Sequence, residues 1–495
     1  MLAVALAGCR SSGTGTERIA FLTLDNLTGD ASLDWIRRAV PAMASSQLIG
    51  VHDVVALRAE VLRDAYTSKA TRFVHGYFDR RGGQLHFLFT EEDAASHKMT
   101  RTLTLDGDIL AASDRLAKQI DATAHAFSSS NAEAVSAWGQ ANFERAVTLD
   151  ADFSIAWLAW VQQEAAAGRR EQALEIAGRA LARPNWRSPV DRARVELTAA
   201  SLRNDPQART KALMELVRLV PNDLISMRSL AEQEMGERHF GESVRLFREL
   251  IKASSPPDPL VLNLLGYALF YSGDLAGARR ELDEYAKSPG HEANALDSQG
   301  EILFMAGQFA DAERYFTQAH QKAPELQEGV DLSKAAYARW LAGDLPGADK
   351  IFDEFLAYRS ANKDQTVVWR RAVWEYATGR SAQATSRLMA ATGPIMEIAQ
   401  RQLLVWSKPD SLPQELAGLE QAYNRTPPPT DGLVRILYAR ALVRAGRPDD
   451  ARKILTLWPL PENGEPLLQG FVFPIYRALK QEVQAGGSSG KTGLK

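Results

Sequence analysis

The sequence predicts a mainly α-helical protein, a solenoid of paired helices preceded by a small α+β domain. Three observations carry this. Helix-ending turn residues recur at steps close to 34 residues between positions 168 and 446, the mark of stacked helix-turn-helix units. Between the turns, apolar residues fall at helical rather than alternating spacing. Before residue 128 the pattern changes to short β-branched and aromatic runs with a hairpin signal.

The clearest unit reads Leu296-Asp-Ser-Gln-Gly300-Glu-Ile-Leu303-Phe-Met-Ala-Gly307-Gln-Phe309-Ala-Asp-Ala312-Glu-Arg-Tyr-Phe316-Thr-Gln-Ala319, then Pro324. Gly300 and Ala312 are small where two antiparallel helices must cross closely. Leu296, Leu303, Phe316 and Ala319 lie on helical spacing and face one another. Gly307 ends the first helix, where a positive φ is wanted, and Pro324 stops the second. The preceding unit repeats the scheme with Leu262, Leu265, Gly266, Leu269, Gly273, Ala278 and Leu282.

Taking the helix-ending turn as a ruler places turns at Gly168, Asn204, Arg238, Gly273, Gly307, Gly343, Gly379, Leu412 and Gly446, with steps of 36, 34, 35, 34, 36, 36, 33 and 34 residues. Asn204 and Leu412 are weak by residue type. They are accepted because the spacing demands a turn and because Pro221 and Pro429 stand at the expected helix stops. Before the first turn, Phe143 to Asp150 reads as a second helix whose partner is shortened. After the last, residues 465–484 read as a terminal capping helix kinked at Pro474, which covers the final apolar face. Residues 485–495 read as a flexible tail.

This pattern resembles the tetratricopeptide repeat, over most of residues 140–460. The resemblance implies a right-handed α-α superhelix of about nine repeats spanning 132–464, with the first helix of each pair lining a concave groove. Counting from the turns, the groove-facing positions are Arg228, Asn263, Tyr267, Phe270, Asp297, Glu301, Phe304, Tyr337, Trp340, Trp369 and Tyr376. An aromatic stripe edged with polar groups suits a protein or peptide ligand. The alternative is that these rings pack between repeats. The Lys, Asn and Arg set of the chaperone-type carboxylate clamp is not found.

The N-terminal region reads as β-α-β-α-β-β-β-α over residues 17–127. Arg18 to Leu24 is a strand and Leu33 to Leu48 a helix, with Asp30 or Ser32 as its cap. Arg72 to Phe78 and Gln84 to Phe89 flank Arg80-Arg-Gly-Gly83, a hairpin. Lys98 to Leu105 is a third antiparallel strand and Ile109 to Phe127 an amphipathic helix. Ser128 to Asn131 reads as a hinge. Ile19-Ala-Phe-Leu-Thr-Leu-Asp-Asn-Leu-Thr-Gly-Asp30, Leu33-Asp34-Trp35 and Ala70-Thr-Arg-Phe-Val-His-Gly76 resemble TolB amino-terminal-like domains, with Thr23 where that family usually has Pro. The resemblance implies an envelope protein as partner for this domain. The family's kinase, cyclase and DNA-binding partner domains are missing from these 495 residues.

The chain has one cysteine, Cys9, and it follows Leu6-Ala7-Gly8 at the end of a short apolar run. This resembles the bacterial lipoprotein box, in which the thiol carries a diacylglycerol. The run is shorter than a usual signal core and no Lys or Arg precedes it, so the natural chain is expected to start upstream. Residues 1–16 are then signal and tether. Arg10, rather than the Asp that retains lipoproteins at the inner membrane, favours the periplasmic face of the outer membrane.

Nothing in the sequence points to catalysis, a cofactor or a metal. Hydrophobic residues make up 45%, charged residues 24%, and the net charge is −3, which gives no basis for nucleic-acid binding. No window approaches the roughly 20 apolar residues of a membrane span. Ala485-Gly-Gly-Ser-Ser-Gly490-Lys491-Thr492 fits a relaxed phosphate-loop pattern but lacks the strand before and the helix after. His75, His86 and His97 sit on neighbouring strands without zinc spacing. The leading expectation is a non-enzymatic, lipid-anchored interaction scaffold of the cell envelope. The alternative is a cytoplasmic regulatory module related to the repeat tails of bacterial kinases or transcriptional regulators.

Overall fold

The computed structural model describes residues 16–254, 256–392, 412–425 and 432–456. Cys9, the 465–484 helix and the 485–492 pattern lie outside these residues. The chain forms two compact units, Met1–Ser255 and Pro256–Lys495.

The first unit opens with a sheet in the order β3-β1-β4-β5-β6, with the short β2 beside β4. The strands are β1 (Glu17–Leu22), β2 (Asp25–Asn26), β3 (Val54–Ala59), β4 (Arg72–Arg81), β5 (Gln84–Asp93) and β6 (Met99–Asp106). β1 runs parallel to both β3 and β4, and β4, β5 and β6 form an antiparallel meander. Gly82 and Gly83 turn the first hairpin with φ of 55° and 88°, which side chains resist. Side chains alternate across the sheet. Ile19, Phe21, Val74, Phe78, Phe87 and Phe89 face one way, into the core shared with α1 (Ile36–Gln47) and α3 (Ile109–Ile120). Ala20 and Phe73 face the other way, under α2 (Leu62–Thr67).

That main core continues without a break into the first helix pairs, through Trp138, Phe153, Trp157 and Trp160. The pairs are α4 (Ala132–Gly139) with α5 (Phe143–Leu149), α6 (Ser154–Ala166) with α7 (Arg170–Leu181), α8 (Pro189–Arg203) with α9 (Pro206–Leu219), and α10 (Leu224–Gly236) with α11 (Phe240–Ala253). The first is the short pair read from the sequence. The hinge expected at Ser128–Asn131 is corrected. Ser129 Oγ donates to Asp150 at 2.7 Å, and Asn131 caps α4 by accepting from the N–H groups of Glu133 and Ala134. A Cβ on Gly139 would lie 2.2 Å from the Trp35 ring, so sheet domain and first repeat are in close contact.

The second unit contains the pairs α12 (Pro259–Tyr271) and α13 (Leu275–Ala286), α14 (Glu292–Met305) and α15 (Phe309–Lys322), α16 (Val330–Leu341) and α17 (Leu345–Ala361), and α18 (Val367–Ala377) and α19 (Ser381–Ala390). Three further helices span Leu412–Arg425, Gly432–Arg444 and Pro448–Thr456.

Eight of the nine turn positions carry positive φ: Gly168 73°, Asn204 54°, Arg238 68°, Gly273 95°, Gly307 78°, Gly343 101°, Gly379 83° and Gly446 76°. The ninth expectation is corrected, because Leu412 opens a helix rather than ending one. Each left-handed residue ends an inner helix and reverses the chain into the next. Gly300 and Gly266 prove to be crossing points. An added Cβ would lie 2.6 Å from the Phe316 ring in the first case and 2.8 Å from Leu282 in the second. The described residues form a tetratricopeptide-like solenoid behind a small α+β domain.

Candidate groove and a buried charge cluster

The expected groove residues of the second unit lie on its first helices, α12, α14, α16 and α18. Tyr267 is half-buried, with its hydroxyl bound to Glu301, and the others described divide into two sets. Phe270, Trp340 and Trp369 are half-buried. Asn263 is also half-buried, and its Oδ1 is enclosed without a hydrogen-bond partner. Asp297, Glu301, Phe304 and Tyr337 form the second set, at 3%, 6%, 1% and 2% exposure. For these the expectation of an open stripe is corrected: they pack between repeats. The Tyr376 side chain lies outside the described residues. In the first unit, Arg228 is half-buried and sits 3.4 Å from Glu232, one turn on along α10.

The buried set includes two groups of different character. Phe304 meets Phe309 edge-on at 5.3 Å. Tyr337 packs against Trp374 at 5.2 Å and Phe352 at 6.2 Å, and burial pushes its phenol well above the ordinary value. These rings are core, which anchors α16 against its neighbours.

Asp297 and Glu301 belong to a charge cluster that joins three repeats. Lys334 on α16 donates to Asp297 Oδ1 at 2.6 Å and to Glu301 Oε1 at 2.7 Å on α14. Tyr267 on α12 donates its hydroxyl to Glu301 Oε2 at 2.5 Å. The Lys334 ammonium also lies 5.6 Å from the centre of the Phe316 ring, within cation–π range. Burial works against the Lys334 charge, but Glu301 and Asp297 outweigh it and hold the ammonium above its usual value. Burial raises Glu301, opposed by Lys334. Burial also raises Tyr267 well above the phenol range, helped by the charges of Glu301 and Asp297.

Asp331 completes the cluster and is fully buried. Burial, then the charge of Asp297 and a hydrogen bond to it, pushes the Asp331 carboxyl up to about 8. At neutral pH this carboxyl holds its proton.

Sequence reasoning missed Lys334, Asp331 and Trp374. Lys334 contacts residues 37 and 33 positions earlier, about one repeat back. The usable signal was a charged residue on adjacent inner helices at one-period spacing. His75 and His86 are on strands, but His97, expected on a third, lies in the turn between β5 and β6; His75 and His97 lie 3.4 Å and 3.0 Å from Glu92, and His86 lies 2.6 Å from Asp106. Among the described residues, no group of three or more His, Cys, Asp or Glu residues is placed to hold a metal. Among the same residues no helix is long and apolar enough to cross a membrane.

No family model matches the chain. A stretch of 144 residues is 31% identical to a TPR repeat-containing protein of Pseudomonas aeruginosa, covering 28% of this chain and 24% of that protein. The chain thus spans about a quarter of the length of this curated relative. Among solved structures, one crystal structure of MamA is 14% identical, with a TM-score of 0.31 over 36% of this chain and 94% of MamA. A second MamA crystal structure is 14% identical, with a TM-score of 0.29 over 34% of this chain and 96% of MamA. At such scores the solenoid assignment stands on the helix pairs and turn angles of the chain itself.

Proposed function

We propose that the protein is a non-catalytic scaffold that holds a segment of a partner protein along the first helices of its second unit. One observation carries the reading. Phe270, Trp340 and Trp369 on α12, α16 and α18 are only partly buried, while Asp297, Glu301, Phe304 and Tyr337 are locked in the core. Apolar anchors on a rigid support are what peptide recognition uses. The repeat fold alone does not specify an activity. The TolB-like resemblance of residues 17–127 supports an envelope protein as a second partner.

We further propose that Cys9 carries a lipid that anchors the protein on the periplasmic side of the envelope, at the outer membrane. The support is the Leu6-Ala7-Gly8-Cys9 sequence around the only cysteine. Two or more acyl chains give stable anchoring where one is marginal.

Photo-crosslinking in the native host tests the groove. A crosslinking residue at Phe270 or Trp340 is expected to capture a discrete partner, and one at the exposed Arg314 on α15 is not. Equal capture from both faces refutes the groove. Radiolabelled palmitate should enter the wild-type protein and not Cys9→Ala, and an unlabelled, freely soluble wild type refutes the anchor.

A further inference from the structure

We propose that Asp297 and Asp331 form a proton-operated latch between α14 and α16, closed while the two carboxyls share one proton and loosened when that proton leaves. The geometry comes first. Three carboxylates, Asp297, Glu301 and Asp331, are 3%, 6% and 0% exposed, and the equally buried Lys334 pairs with the first two. Lys334 is already shared by Asp297 and Glu301. Neither oxygen of Asp331 meets a donor from another residue. An ionised carboxylate only accepts hydrogen bonds, so a bond between Asp331 and Asp297 exists only while one of them is protonated. Like charges at such a site cannot both ionise cheaply. The direction of the Asp331 shift agrees, with burial as its first cause and Asp297 as its second.

The groups facing Asp331 leave no substitute for the proton. On α14 these are Asp297 and Glu301, and on its own helix Lys334. Tyr267 on α12 is engaged with Glu301. Several charges on the helices packed against α16 are paired elsewhere, Arg370 on α18 with Asp364 at 3.0 Å among them. Glu313 on α15 binds Arg339 at 3.0 Å. Arg359 on α17 binds Asp364 at 2.6 Å and also Glu328. Burial holds the His320 ring of α15 below its usual value, so it brings no positive charge at neutral pH.

The sign follows from linkage. The folded chain keeps a proton on this pair that the unfolded or opened chain releases above about pH 4. Closure is therefore strongest in acid, weakens as pH rises towards about 8, and changes no further above it. The inference stands whether or not the groove holds a partner.

Amide hydrogen exchange on the full chain, corrected for the intrinsic pH dependence, reads the latch directly. In the wild type, the opening equilibrium for peptides from α14 and α16 is expected to rise by up to about tenfold per pH unit between pH 5 and 8. Asp331→Asn places a permanent amide donor against Asp297 and should flatten that dependence. A wild type without the slope, or Asp331→Asn with the slope unchanged, overturns the proposal. If Asp331→Asn does not fold, carboxyl-13C NMR of the wild type labelled at aspartate decides. A protonated aspartate signal at pH 7 that disappears above about pH 8 supports the latch, and its absence at pH 7 overturns it.

Discussion

The Trp374 ring lies flat on Phe352, with centroids 4.5 Å apart and planes 9° apart. Trp340 meets the same indole edge-on at 5.9 Å, and Asp349 accepts from its Nε1 at 2.7 Å while also binding Arg380. This fully buried side chain joins α16, α17 and α18. Trp374→Phe keeps a ring on Phe352 but loses the hydrogen bond, and should cost about 1 kcal/mol. Trp374→Ala should cost about 3–5 kcal/mol, because the site is closed on every side. Urea denaturation of the two variants checks the order.

Gly300 sets how closely α14 and α15 approach. Since a Cβ there would lie 2.6 Å from the Phe316 ring, Gly300→Ala should destabilise by about 1–3 kcal/mol through overpacking. Gly178 is the control. It lies inside α7 with nothing within 4 Å of an added Cβ, so Gly178→Ala should stabilise by about 0.5–1 kcal/mol. Thermal melts of both variants give the comparison, and equal shifts would contradict it.

Lys334→Met leaves Asp297 and Glu301 buried without their cation. Breaking one side of a buried pair costs about 3–5 kcal/mol, and this change should destabilise the second unit by that amount. Lys334→Met combined with Asp297→Asn and Glu301→Gln should recover a large part of the loss, since neutral amides at both positions leave no unpaired charge. Failure of the triple variant to exceed the single one in denaturant midpoint would show that the ammonium acts through packing rather than charge.

Asp191, on α8, gives a separate pH signature in the first unit. Burial pushes its carboxyl up to about 6, against the opposing charge of Arg194 and a hydrogen bond from Ser188. The folded chain holds that proton between about pH 4 and 6 while the unfolded chain does not. Stability should thus fall by about 1.4 kcal/mol per pH unit across that window and level off above it. Asp191→Asn should remove this component, as read by urea midpoints at pH 4.5 and 6.5.

The legible part of the fold was the turn ruler. Asn204 and Arg238 are not glycines, yet spacing placed them and both have positive φ. The same ruler failed at Leu412, where residue type gave no turn signal and spacing alone placed one, and the residue opens a helix instead. The groove was half legible. Phe304 and Tyr337 have the aromatic character of ligand anchors, and only the packing of neighbouring inner helices decides that they face other repeats. Asp331 with Lys334 and Asp297 with Glu301 stand at three- and four-residue spacing, the ordinary sign of a solvated helix face. What buries them is stacking across 33 and 37 residues, which no local window contains.

Lys334 also bears on how this array tolerates gain and loss of repeats. In an ideal solenoid one unit substitutes for another, because each meets its neighbours through the same apolar contacts. Here, excising the 34 residues from Asp274 to Gly307 would move Asn263 into the place of Asp297 and Tyr267 into the place of Glu301. The lysine would then be enclosed against a carboxamide and a phenol, with both of its counter-charges gone. Recombination between repeats, harmless elsewhere in such arrays, is penalised at this junction, so the order of these three units is fixed by charge.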